Sequence, residues 1–178
     1  ILGFPDLEPQ RHQQAGEQAA VVGVVVHHQD AVARFSGQQA EHRQMWDSYV
    51  AVPRLTRYYD TGAALPHPLL AQARELASAH YRAELGEDFT SAGLCLYRDG
   101  ADSVAWHGDT KGRGSTADTM IAILSLGAPR GLSLRPRGGG PITRFDVGHG
   151  DLLVMGGSCQ RTWEHAVLKT SRPVGPRI

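Results

Sequence analysis

From Ala92 to Leu168 the sequence repeats with a period of two, and this restricts the fold more than any other feature of the chain. Apolar and polar residues alternate in short runs: Ala92–Tyr97, Asp102–His107, Thr119–Leu126, Leu132–Arg137, Ile142–Val147, Asp151–Met155 and Thr162–Leu168. A period of two sends successive side chains to opposite faces, which suits a strand buried on one side. Asp99-Gly100, Gly138-Gly139-Gly140 and Gly148-His149-Gly150 stand between runs, where tight turns are needed. The chain's 21 Gly and 10 Pro fit that turn-rich reading better than a helical bundle. The expected class is mostly β with flanking helices, arranged as a sandwich or barrel.

Upstream the pattern differs. Leu69, Leu70, Ala73, Leu76, Ala77 and Tyr81 fall at helical spacing, so a helix is expected over Leu69–Leu85, ended by Gly86. The segment Asp30–Met45 is expected to be helical, and Val21–Val26 a strand or a buried helix end. With 178 residues, the chain is read as a single domain. Residues 1 to about 90 would pack on a core of about residues 91–178, with residues 1–45 forming a lid or a buttress.

Bulk properties exclude several classes. Apolar residues at 41% and charged residues at 20% rule out a disordered chain. Cys95 and Cys159 are too few for a disulfide framework or a cysteine zinc site, so a reducing, cytoplasmic setting is expected. The apolar run Ala19–Val26 is far too short to span a membrane, so no membrane partner is expected. Net charge is zero, although Lys111, Arg113, Arg130, Arg135, Arg137 and Arg144 make a local basic stretch. Such residues can be solvated edges or can meet phosphates, and charge alone does not choose.

The chemistry-bearing pattern is His107-Gly108-Asp109. Two residues apart on an extended chain, an imidazole and a carboxylate face the same way and can grip one metal ion. His165, within Trp163-Glu164-His165 on another expected strand, can complete two histidines and one carboxylate, the set used by non-haem iron oxygenases. Such a set leaves positions for a keto acid and dioxygen, unlike a closed four-ligand zinc site. His-x-Asp alone is a weak signal. His12, His27, His28, His42, His67, His80 and His149 lack such a partner and read as surface or structural residues. No Gly-x-Ser-x-Gly elbow is present, and the triple glycine lacks a phosphate-loop lysine. An anionic co-substrate needs a buried cation, and arginine stays charged and matches a carboxylate bidentately. Arg177, on the strand expected after His165, is favoured over Arg172, which Pro173 places in a loop; Tyr97 can add a hydroxyl.

Several stretches together resemble one family. Leu94-Cys95-Leu96-Tyr97-Arg98-Asp99-Gly100, then Asp102 through Asp109, is similar to the signature of AlkB-type Fe(II)- and 2-oxoglutarate-dependent dioxygenases. Gly148 through Met155, the Trp163-Glu164-His165 stretch, and upstream Val52-Pro53-Arg54-Leu55 with Tyr58-Tyr59 resemble other parts of that family in the same order. The resemblance covers about residues 45–178. It implies a double-stranded β-helix (jelly-roll, cupin-like) core and an Fe(II) centre held by His107, Asp109 and His165. Tyr97 and Arg177 would bind 2-oxoglutarate. The implied activity is oxidative demethylation of N-alkylated bases in DNA, single-stranded DNA or RNA, consuming O2 and releasing formaldehyde, succinate and CO2. A target base would be flipped out or met single-stranded. Trp106, Arg54, Tyr58, Tyr59 and Lys111 are the expected substrate side, and a monomer is expected. The family continues beyond the position of Arg177 to a second arginine, so the sequence is expected to be trimmed at both Ile1 and Ile178.

Three departures concern the substrate. Cys95 stands where the family often has asparagine, and Lys111 where repair members carry an acidic residue facing a cationic base. The segment Asp60–Leu65 is short for the aromatic hairpin that covers a flipped base. Alternatives are a 2-oxoglutarate dioxygenase acting on RNA, protein or a small molecule, a non-catalytic binding barrel, and a cupin-like zinc or manganese protein.

Overall fold

A computed structural model describes residues 39–45, 48–109, 114 and 116–178. Strands β1 (Gln39–Met45) and β2 (Ser48–Tyr59) lead into helix α1 (Pro68–Leu85). Seven strands then follow: β3 (Ala92–Leu96), β4 (Val104–His107), β5 (Ile121–Leu124), β6 (Arg130–Pro136), β7 (Thr143–Val147), β8 (Leu152–Met155) and β9 (Trp163–Val167). One short helix, α2 (Cys159–Thr162), leads directly into β9. The seven expected strands after Ala92 are all present, each end within two residues of its expected place; β6 starts two residues earlier than expected and the others are shorter. The expected helix is present as α1, capped by His67 Nδ1, which accepts from the Leu69 N–H, and by left-handed Gly86.

The expected helix over Asp30–Met45 is corrected where it is described, because Gln39–Met45 is strand β1, antiparallel to β2. Gln39–Met45 is rich in helix formers (Gln, Ala, Glu, Arg, Met), yet it takes the conformation that its partner strand offers, so tertiary pairing overrides propensity. The remainder of that expected helix, and Val21–Val26, lie outside the described residues. Strand β2 itself was read only as a motif. Pro53 argues against a strand because it has no N–H to donate. The β1–β2 ladder resolves the conflict with a register shift between Ala40 and His42, so the irregularity falls opposite Pro53.

Three hydrogen-bonded sheets result, in the orders β1-β2-β3, β4-β9-β6-β7 and β5-β8. The segment ending in Ile178 joins the first to the third. Arg177 exchanges both backbone hydrogen bonds with Tyr97 at 2.8 Å, and Ile178 does the same with Leu126. A continuous layer β1-β2-β3, residues 177–178, β5-β8 therefore faces the four-stranded sheet. Between them lie Tyr97, Leu132, Leu134, Val147, Met155, Cys159 and Val167. Helix α1 covers the other face of β5-β8, where Tyr81 and Leu85 meet Met120 and Val154. Both faces of β5 are thus covered, which is why its four residues are all half-buried.

Leu134 is 1% exposed and lies opposite His165 in the β6–β9 ladder. Leu134→Ala should lower stability by about 2–5 kcal/mol, the usual range for deleting a buried leucine. Urea unfolding measures this, and a loss below about 1 kcal/mol would mean the core relaxes into the space.

Candidate metal centre and anion pocket

His107 ends β4 and lies directly opposite His165 on β9. Their rings are 4.3 Å apart between centroids. The β4–β9 register slips between Val104 and His107, an irregularity that lets Val104 pack in the core while His107 still points towards His165. It also brings the Ala105 carbonyl to 2.8 Å from His107 Nδ1. That nitrogen donates to the carbonyl, so Nε2 keeps its lone pair. Asp109 spans both imidazoles, with Oδ1 3.7 Å from His107 Nε2 and Oδ2 3.6 Å from His165 Nε2. One ligand atom from each of the three residues falls within 4.8 Å of the others. Burial holds the His165 pKa down to about 4, with His107 acting in the same direction and Asp109 against it. His165 therefore presents a neutral, ligand-ready nitrogen at ordinary pH. His107 and Asp109 are partly open to solvent, so this side of the group is accessible.

A second arrangement adjoins it. The β2–β3 register pairs Leu55 with Leu96, so the next antiparallel position sets Arg54 beside Tyr97. Tyr97 in turn bridges Arg177. Arg54, Tyr97 and Arg177 consequently form a lateral row across three neighbouring extended segments. All three are buried, and Arg54 NH1 donates to the Tyr97 hydroxyl at 3.1 Å. Arg54 Nε and Arg177 Nε and NH1 are buried without a hydrogen-bond partner. Buried guanidinium N–H groups without an acceptor are costly, and an anion seated there removes that cost. Burial pulls the Arg177 guanidinium below its usual pKa and pushes the Tyr97 phenol above its own. Arg172, the competitor, sits exposed in a bend.

The turn that follows Tyr97 is a packed unit. Asp102 accepts from the Arg98 backbone N–H and from its guanidinium at two points, each at 2.8 Å. Asp99 Oδ1 accepts from the Ala101 N–H. A side chain at Gly100 would collide with the Thr170 carbonyl. Arg130, buried and unassigned by sequence reasoning, donates to the carbonyls of Asp99, Asp102 and Leu168. The Tyr-Arg-Asp-Gly stretch thus fixes where β4, and with it His107, begins.

The expected substrate residues separate. Arg54 belongs to the anion row. Trp106 lies under Arg135, whose guanidinium is 4.3 Å from the indole centroid and pairs with Glu164. Arg135 and Glu164 are ladder neighbours one position along from Leu134 and His165, so they occupy the opposite face of the sheet from His165. Trp106 is thereby drawn away from the His165 side. Tyr58 is 69% exposed and lies over Gly93, on the same face of β2 as Arg54. Tyr59 points to the other face, under Arg57 and against the Leu94 cluster. Lys111 lies outside the described residues.

These donor sets match the comparisons with known proteins. Residues 11–177 match the 2OG-Fe(II) oxygenase superfamily. The chain belongs to that superfamily, and to its AlkB type. It is 33% identical over 121 residues to bovine alpha-ketoglutarate-dependent dioxygenase alkB homolog 3, covering 63% of this chain and 41% of the relative. It is 32% identical over 129 residues to the Arabidopsis DNA oxidative demethylase ALKBH2, covering 59% and 40%. A mimivirus protein of no stated activity, R406, is 36% identical over 95 residues, covering 53% and 49%. The chain spans half or less of the length of these curated relatives. The family's requirement is Fe(II), 2-oxoglutarate and O2, and the residues fit it: two imidazoles and a carboxylate for the metal, and unpartnered buried guanidinium N–H groups for a dianionic keto acid. Among the described residues no helix is long and apolar enough to cross a membrane, and both cysteines are free.

The Arg98–Asp102 pair predicts a pH effect. Despite burial, which opposes ionisation, hydrogen bonds from Arg98 hold the Asp102 carboxyl below its usual range. A depressed folded value means the pair contributes fully above the unfolded carboxylate pKa of about 4 and fades as pH falls through the folded value. Asp102→Asn should therefore destabilise the protein near neutral pH and reduce the slope of stability against pH below about 4. Denaturant melts across pH read this out, and parallel curves would show the carboxylate contributes nothing.

Proposed function

We propose that the chain is the Fe(II)- and 2-oxoglutarate-binding part of an oxidative demethylase acting on N-alkylated bases in DNA or RNA. The observation that carries this is the row Arg54–Tyr97–Arg177 beside the His107–Asp109–His165 group. A site for a dianion adjoins a site for a divalent metal, as a chelating keto acid requires. In this reading His107, Asp109 and His165 hold iron, and Arg177 with Tyr97 receives the distal carboxylate of 2-oxoglutarate. Arg54 adds a second cation to that pocket instead of touching the substrate. When bound, the centre would supply hydroxylation of an N-methyl carbon by O2, the second oxygen atom going to the succinate formed with CO2 from 2-oxoglutarate, after which formaldehyde would leave the base. The name of the Arabidopsis relative, a DNA oxidative demethylase, supports a nucleic-acid substrate.

The protein's share is placement. Burial of Arg54, Tyr97 and Arg177 excludes water from the co-substrate end, while half-open His107 and Asp109 leave an approach for a base that is flipped out or single-stranded. Exposed Tyr58 offers an aromatic face for stacking. The two facing layers are read as a double-stranded β-helix core at about residues 91–178, the N-terminal half packing on it within one domain. A monomeric, cytoplasmic protein is the accompanying reading. Lys111 favours a second reading, because a cation near the metal aspartate disfavours a positively charged methylated base. An uncharged alkylated base, or a substrate other than a nucleic acid, would then be accepted.

Anaerobic addition of Fe(II) and 2-oxoglutarate should give the weak visible charge-transfer band of the chelate, and Asp109→Ala should abolish it. Oxygen with a 1-methyladenine oligonucleotide should then yield formaldehyde and succinate together. Succinate without formaldehyde would keep the dioxygenase and discard that substrate, and absence of the band would refute the metal assignment. Arg177→Met should raise the 2-oxoglutarate concentration needed for half-maximal band formation by about 100-fold, on the scale of losing a charged hydrogen-bonding partner. A midpoint within twofold of the parent would remove Arg177 from the pocket.

A further inference from the structure

Asp109 is half-buried and slightly more open than His107, and nothing in a His-x-Asp strand end by itself holds that residue in place. The described structure supplies the restraint from elsewhere. The Asp109 backbone N–H donates to Gln160 Oε1 at 2.9 Å. Gln160 lies on α2, five positions before His165, and is 1% exposed. Its amide nitrogen approaches Met155 Sδ at 3.9 Å, which orients the side chain so that the oxygen faces Asp109. Its carbonyl packs so tightly on Gly108 that any Cβ there would collide with it, and would also meet an Arg137 nitrogen at 2.7 Å. Arg137 closes the arrangement from the turn after β6, donating to the Gln160 backbone carbonyl at 3.1 Å and to the Arg161 carbonyl at 2.6 Å. The central residue of His107-Gly108-Asp109 is therefore glycine because α2 lies against it.

We infer that Gln160 is a positioning residue for the metal centre, fixing the backbone of Asp109 to the same short segment that delivers His165. Residues 160–165 then act as a template. One end holds the carboxylate-bearing turn and the other carries the buried imidazole, so the spacing between the two ligand strands is set before any metal binds. Preorganisation of this kind acts on metal affinity through groups that never touch the ion. The inference rests on the assignment of His107, Asp109 and His165 as ligands.

Cobalt(II) binding tests it without turnover, since the ion's visible bands report both affinity and ligand geometry. Gln160→Met keeps the side chain's length but removes the acceptor. It should weaken Co(II) binding by about 10- to 100-fold, the usual range for outer-shell partners, and alter the bands. Gln160→Glu restores an acceptor oxygen and should recover most of the affinity. A protein that needs Gln160 only for packing would show Gln160→Met binding Co(II) like the parent, or Gln160→Glu no better than Gln160→Met. Either result overturns the inference. If Gln160→Met does not fold, Arg137→Met at an exposed position replaces it. A severalfold loss of affinity there supports the template, and unchanged affinity counts against it. The parent and Asp109→Ala distinguish the two levels of failure. Parent protein that does not bind Co(II) sinks the ligand assignment itself, whereas binding lost in Asp109→Ala but intact in Gln160→Met sinks only the role of Gln160.

Discussion

Two buried guanidiniums flank one buried phenol in this protein, and among the described residues neither meets a carboxylate. Removing like charges from water and setting them side by side is among the more expensive arrangements a fold can contain. The Tyr97 hydroxyl takes one N–H from Arg54, and its ring lies 5.8 Å from Arg54 and 5.7 Å from Arg177. These contacts offset only part of the cost. The rest of the architecture can be understood as holding this row in place: β2, β3 and the 177–178 segment align three side chains from distant parts of the sequence. A third guanidinium, Arg130, stays near the same ring without needing an anion, because three backbone carbonyls already receive it.

The His107–Asp109–His165 group depends on the opposite layer. His107 and His165 are ladder partners in the four-stranded sheet, so their spacing follows from strand pairing and not from loop conformation. The anion row belongs to the facing layer, and Tyr97 is a member of the shared core with Leu132, Leu134 and Val167. The distance between cation row and metal group is thus set by how the core fills the space between layers. Close-packed interiors resist such changes, which makes the core a determinant of site geometry as well as of stability.

Much of this was legible in the sequence, for identifiable reasons. Period-two alternation and glycine turns located the strands after Ala92, and a helical stripe with its terminating Gly86 located α1. His107, Asp109 and His165 were visible because two share a local motif and the third sits on a strand of regular period. Strands β1 and β2 were missed because a proline and a polar run obscure them; only the partner strands and a register shift reveal the pairing. Gln160 carries no local signal, and Arg137 only its place in a basic stretch. A buried glutamine and an exposed arginine look ordinary until α2 is seen against Gly108. Trp106 shows the limit of adjacency. Adjacency in sequence to His107 suggested a shared role, yet neighbours on a strand point to opposite faces, and Arg135 takes the indole.

Arg54 shows how strand register selects a partner for a residue that sequence places only near the site. The resemblance of its motif puts it on the expected substrate side. Register sets its partner: the pairing of Leu55 with Leu96 places Arg54 beside Tyr97, whose hydroxyl it reaches, and the next aromatic on the same face, Tyr58, lies four residues along the strand. At about 3.3 Å per residue that is roughly 13 Å. One strand face therefore runs from a buried, cationic end to an exposed, aromatic end. A small dianion matches the first and a stacked base the second. The register of a single β-strand thus sets both charge and exposure along its length, and its buried end is the costly one until an anion meets the guanidinium there.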